Sequence, residues 1–118
     1  MTTTEQAVLA AEIEGAVRAT AGVSAVYRSA SVISHLLRAG AAALGVRPED
    51  EPLVSVAETE DGVAVEASIG VESNTRSGDT LRAVRAAVDA VLERQGVRRE
   101  SLTLTVVHVH AAAPEPVV

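Results

Sequence analysis

Residues 53–72 carry the pattern that most restricts the fold. Two alternating runs, Leu53 to Glu60 and Val63 to Glu72, flank Asp61-Gly62, the preferred pair for a two-residue type I′ hairpin turn. Such a turn predicts Glu60 opposite Val63, hence Val54 opposite Ile69, Val56 opposite Ala67 and Glu58 opposite Val65. One face of the hairpin then holds Val54, Val56, Val63, Val65, Ala67 and Ile69. The other holds Ser55, Ala57, Thr59, Ala64, Glu66, Ser68 and Gly70. A slip by one residue would mix the two sets, so the pattern itself argues for the faces. The apolar face needs a covering layer of helices. The other face is flat, small-residued and wet.

The covering helices are legible on either side. The spacing of Leu9, Ile13, Ala16, Val17 and Thr20 predicts a helix from about Glu5 to Thr20, with Thr3 and Gln6 as a capping-box pair. Gly22 to Tyr27 reads as an extended connector or a short edge strand. A second helix is predicted from about Ser31 to Leu44, with Ile33, Leu37, Ala41 and Leu44 as its stripe. Val32, Leu36 and Gly40 widen that stripe, so this helix is either well buried or covered by a partner. Arg47 to Pro52 frames three acids with two prolines and forms a solvated linker. A third helix is predicted from Asp79 or Thr80 to Gln95, with Leu81, Val84, Val88, Val91 and Leu92 inward and Gly96 closing it. Last comes a strand, Leu102 to Ala111. Leu102, Leu104 and Val106 share one of its faces and Val107 and Val109 take the other. The switch at Val106-Val107 predicts a bulge or a strand buried on both faces.

Assembled, these elements give an α+β two-layer sandwich in the order α-α-β-β-α-β. Its sheet is small and mainly antiparallel, built from the hairpin 53–72 and the C-terminal strand 102–111, with the helices on one face. The last strand follows a helical crossover, so it should run parallel to the second hairpin strand, and it can lie beside the first, antiparallel to it. The 118 residues make one domain, residues 1–111, followed by a flexible tail over 112–118.

Composition excludes much chemistry. Ala and Val together supply 42 residues, Tyr27 is the only aromatic, and Cys is absent. That removes disulfides, thiolate metal sites and cysteine nucleophiles, and leaves no platform for stacking bases. The net charge of −6 repels phosphate backbones and anionic lipid. No apolar run is long enough to span a bilayer, and the N-terminus lacks the basic start of a signal peptide. A cytoplasmic protein without a direct membrane span is expected. No P-loop, dinucleotide fingerprint or nucleophile elbow occurs.

Several side chains remain to be weighed. His108 and His110 are spaced i, i+2 on a strand, so both imidazoles can share one face and reach one metal. No third ligand lies nearby in sequence, and His35 or Glu66 would have to be brought in by the fold. The expectation is therefore two polar residues on the wet face of a strand end, with no metal and no other cofactor. A small metal-binding protein or enzyme using His108 and His110 stands as the alternative. Glu58, Glu60 and Asp61 read as a charged hairpin tip rather than an acid/base pair. Tyr27 beside Arg28 reads as a ring buried at a loop boundary. Arg82, Arg85 and Arg94 read as helix-face charges paired with Asp89 and Glu93. An RNA-binding α+β module would need a basic groove and a Gly-x-x-Gly clamp, and neither is present.

What the residues favour is an associating surface: Val32, Leu36 and Leu37 on the greasy second helix, and Ser55, Ala57, Glu66 and Ser68 on the outer hairpin face. A helix running into Gly22-Val23 precedes an acidic linker, Val54-Ser55-Val56 and Glu60-Asp61-Gly62-Val63-Ala64-Val65. Leu81-Arg82-Ala83-Val84-Arg85-Ala86-Ala87-Val88 and Leu104-Thr105-Val106-Val107-His108-Val109-His110 complete the layout. This arrangement resembles the alkaline shock protein family of bacterial envelope stress response proteins. The resemblance implies a non-enzymatic scaffold with no catalytic residue. It also implies self-association, and tethering at the cytoplasmic side of the envelope through a membrane-anchored partner.

Overall fold

The computed structural model describes residues 1–28 and 52–111. The predicted second helix, with Val32, Leu36 and Leu37, and the tail 112–118 lie outside the described residues. The described elements are α1 (Thr3–Arg18), β1 (Val23–Tyr27), β2 (Ser55–Thr59), β3 (Gly62–Glu72), α2 (Ser77–Arg94) and β4 (Arg99–His110). Two helices cover one face of a four-stranded open sheet, an α+β arrangement.

The first helix starts earlier than its apolar stripe suggests. Thr2 is the N-cap, and its hydroxyl accepts from the Glu5 backbone N–H at 3.1 Å. Glu5, three residues on, places a carboxylate at the positive end of the helix dipole. The predicted Thr3 and Gln6 pair is therefore displaced by one residue. Leu9, Ala10, Ile13 and Val17 are buried. Glu14, on the flank, accepts the Leu53 backbone N–H at 2.5 Å and pins the chain entering β2 against the helix.

β3 organises the sheet. β1 and β2 share one of its edges end to end. β1 pairs antiparallel with residues 68–71 and β2 with residues 62–66. β4 runs parallel to β3 along the opposite edge. The expected direction of the last strand is thus found, but it neighbours β3 and not the first hairpin strand. Length supplies the reason. β4 has 12 residues and β3 has 11, whereas β2 has five, so pairing with β3 satisfies many more backbone groups. The segment at Gly22 to Tyr27 is a true strand, held by the C-terminal half of β3.

The hairpin register also differs from expectation. Thr59 faces Gly62, Glu58 faces Val63, Ala57 faces Ala64 and Val56 faces Val65. The turn residues are therefore Glu60 and Asp61, and the register is shifted by two from that of an Asp61-Gly62 turn. A shift of two keeps every side chain on its predicted face, which is why the alternation could not detect it. Among the described residues none other than glycine has positive φ, so the turn at Glu60-Asp61 is not type I′. Gly62, at φ 142°, serves a different purpose. A Cβ there would lie 2.1 Å from the Arg98 carbonyl oxygen. That carbonyl accepts the Val63 N–H at 2.9 Å and docks the start of β4 against β3.

The core is aliphatic throughout. Val56, Val63, Val65, Ala67, Ile69 and Val71 of the sheet meet Leu9, Ile13 and Val17 of α1 and Val84, Val88, Val91 and Leu92 of α2. α2 begins at Ser77, two residues before the predicted start, and its inward stripe is the predicted one apart from Leu81, which is only half-buried.

Candidate functional site

Two of the sheet's three register irregularities shape the face turned away from the helices at the end of β3. In β4, Leu102, Leu104 and Val106 pair with Val65, Ala67 and Ile69, all helix-facing. Strict alternation would then turn His108 and His110 toward the helices as well. Instead the register skips Val107, so His108 faces Gly70, Val109 faces Val71 and His110 faces Glu72. The bulge expected at Val106-Val107 is present. It transfers both imidazoles to the outer face, and it returns Val109 to register with core positions rather than grouping it with Val107. In β1 a second irregularity falls at Ser24, between the Val23/Val71 and Ala25/Gly70 pairs.

These distortions converge over Gly70. A Cβ on Gly70 would lie 2.8 Å from the Ser24 hydroxyl oxygen and 3.0 Å from both Cδ2 and Nε2 of His110. The His110 ring therefore lies across the glycine, in space a side chain would fill. From the far side of β3, Tyr27 reaches over, and its hydroxyl oxygen is 3.0 Å from His110 Nε2. The ring centroids of His108 and His110 are 4.2 Å apart, with planes tilted by 59°. His108 is exposed and His110 half-buried. Two imidazoles and a phenol, contributed by β4 and β1, thus form one cluster on the outer face.

The cluster supplies part of what a metal ion needs. Two neutral imidazoles this close can contribute to one coordination sphere, and imidazole suits zinc, nickel and copper. A stable site needs at least three ligands. Among the described residues no group of three His, Cys, Asp or Glu side chains comes together. Glu66 is not the missing ligand. It sits four residues before Gly70 on β3, roughly 13 Å along the strand at about 3.3 Å per residue. His35 lies outside the described residues. Among the described residues the cluster thus brings two imidazoles together and no third ligand.

Several other residues singled out from the sequence have structural partners. Glu58 holds the Met1 ammonium at 2.8 Å, and that hydrogen bond and charge raise the ammonium pKa. Glu60 and Asp61 are exposed at the hairpin tip. Arg82 pairs with Asp79 rather than with Asp89 or Glu93. Asp89 receives Arg99 at 2.6 Å and Arg85 at 3.9 Å, tying α2 to the start of β4. Of the outer hairpin face, Ser55, Ala57 and Glu66 are half-buried, and Ser68 is only 7% exposed between Tyr27 and Thr105 on its two neighbouring strands. No helix among the described residues is long and apolar enough to cross a membrane.

Tyr27 was missed as a site residue, because its partner lies 83 positions away. A signal existed in the broken alternation at Val106-Val107, which decides the face of both histidines.

No protein-family model and no curated protein matches the chain. Solved structures do. A MamM CTD variant aligns at 16% identity and TM-score 0.57, covering 93% of this chain and 99% of its own. The zinc form of another MamM CTD variant aligns at 16% identity and TM-score 0.56, covering 94% and 90% respectively. The nickel form of a third aligns at 17% identity and TM-score 0.53, covering 90% and 98%. The resemblance to the alkaline shock protein family is overturned by these matches, and the envelope-stress scaffold it implied falls with it. Its motifs were hairpin alternation and turn residues, which any small α+β sheet under two helices displays. At such identities the likeness establishes a shared fold, and the fold is that of the MamM CTD.

Proposed function

We propose that this chain is a divalent-metal-sensing domain of the cation diffusion facilitator C-terminal type, with His108 and His110 as its ligands. The carrying observation is that a bulge places both imidazoles on the exposed sheet face with ring centroids 4.2 Å apart. The fold match to MamM CTDs solved in zinc and nickel forms supports the same reading. A cysteine-free, imidazole-based pair favours zinc or nickel over magnesium or calcium.

Self-association belongs to the proposal. Two imidazoles bind a cation weakly, whereas two copies would bring four and meet the tetrahedral preference of zinc. Metal would then act by favouring the paired state over the separate chains, because a ligand shifts an equilibrium by its differential affinity for the two states. Such a domain signals by changing its assembly and needs no catalytic residue. It would do so as the soluble part of, or a partner to, a membrane protein.

The test combines metal analysis with size. After equilibration with zinc and gel filtration, the wild-type protein should retain metal and scatter light as a dimer. His110→Ala should retain none and stay at its metal-free size. Retention equal to wild type in His110→Ala would remove these ligands from the account.

A further inference from the structure

The Tyr27 to His110 contact carries a consequence for how the metal ligand is prepared. The phenol oxygen lies 3.0 Å from Nε2 of His110. The same ring turns Cδ2 and Nε2 toward Gly70, each 3.0 Å from where a Cβ would stand. In an imidazole, Nδ1 sits across the ring from the Cδ2–Nε2 edge. With Nε2 engaged by the phenol, Nδ1 is the ring nitrogen left outside that contact.

A neutral imidazole carries one proton, and the nitrogen without it is the one that can ligate. We infer that Tyr27 is a positioning residue for the metal site: its phenol oxygen accepts the Nε2–H of His110 and leaves the Nδ1 lone pair as the ligand atom. This rests on the metal-sensing function proposed above. Tyr27 does not touch the ion. It fixes the tautomer and the ring plane, the part that a carboxylate or backbone carbonyl plays behind many metal-bound histidines. Its own hydroxyl proton is not consumed by that bond, and the half-buried ring leaves water able to accept it.

Three features agree. Tyr27 is the only aromatic residue in the chain. It stands opposite Ser68, whose small side chain leaves room for the phenol to pass over β3. Gly70, between the two partners, is the residue whose missing Cβ lets the Cδ2–Nε2 edge of the His110 ring approach the strand.

Two measurements test it. The first is the tautomer of His110 in metal-free protein, read from long-range 15N–1H correlations of the ring. Wild type should show the Nε2–H form, and Tyr27→Phe should move population toward Nδ1–H. The second is zinc affinity by calorimetry, which should fall about 10–100-fold in Tyr27→Phe, the range typical for removing an outer-shell partner. An Nδ1–H tautomer in wild type would overturn the inference without any metal present. Zinc binding in wild type with equal affinity in Tyr27→Phe would overturn it while leaving the histidine site standing. A wild type that binds no zinc would overturn the metal reading and this inference together.

Discussion

Tyr27 and His110 are 83 residues apart in sequence and joined by a 3.0 Å contact between phenol oxygen and Nε2. The contact spans three strands, from β1 across β3 to β4, and the strand in the middle contributes a glycine beneath it. Both ends depend on irregular pairing, at Ser24 in β1 and at Val107 in β4. The Tyr27–His110 cluster is built where the sheet departs from strict alternation.

Gly70→Ala should disturb this cluster with little harm to the fold. Its new methyl would meet the Ser24 hydroxyl at 2.8 Å and the His110 ring at 3.0 Å, both movable side chains. Overpacking of this kind costs about 1 kcal/mol at the low end of its range. Urea unfolding should show that modest loss, while zinc affinity drops as His110 is lifted off the sheet.

Gly62→Ala should be far more damaging. The methyl would lie 2.1 Å from a backbone carbonyl, that of Arg98, at φ 142°. A backbone atom cannot step aside as a side chain can, and the conformation is strained for any L residue. A loss of about 3 kcal/mol or more is expected, a large part of the total stability of a small domain. Urea midpoints of the two glycine variants, measured side by side, check the contrast.

The contrast between those glycines marks what was legible in the sequence. Alternation through 53–72 assigned the faces correctly, because a side chain's face depends only on parity. It could not fix the register, because a shift of two leaves parity unchanged, and Asp61-Gly62 drew the turn to the wrong pair. Gly62 was present for a close approach by Arg98, a contact between distant segments that no local pattern records. The stripes of α1 and α2 were readable for the same reason the faces were: burial imposes a period. The edge chosen by β4 was not readable, since direction follows from the crossover but neighbour choice follows from strand length. At the site, the histidine spacing and the break at Val106-Val107 were visible, whereas Tyr27 could be joined to them only in three dimensions.

Core substitutions should follow burial closely. Ile13 is fully buried between α2 and the sheet, while Val8 on the same helix is 56% exposed. Ile13→Ala should cost about 3 kcal/mol through lost burial and a residual cavity. Val8→Ala should stay within about 0.5 kcal/mol of wild type. Thermal melts of the two variants would separate them clearly.

Metal preference should follow ligand chemistry. With imidazoles and no thiolate or carboxylate gathered among the described residues, nickel and zinc should bind well ahead of manganese, and magnesium should not compete. Competition titrations at fixed pH and ionic strength would give this order. Manganese binding as tightly as zinc would point to oxygen ligands instead.

The most direct test of the metal-sensing account is a calorimetric zinc titration of the intact chain beside its His108→Ala/His110→Ala variant. The account predicts saturable heat at one ion per two wild-type chains, and no saturable heat in the variant. Identical isotherms for the two proteins, or no binding by wild type, would contradict it.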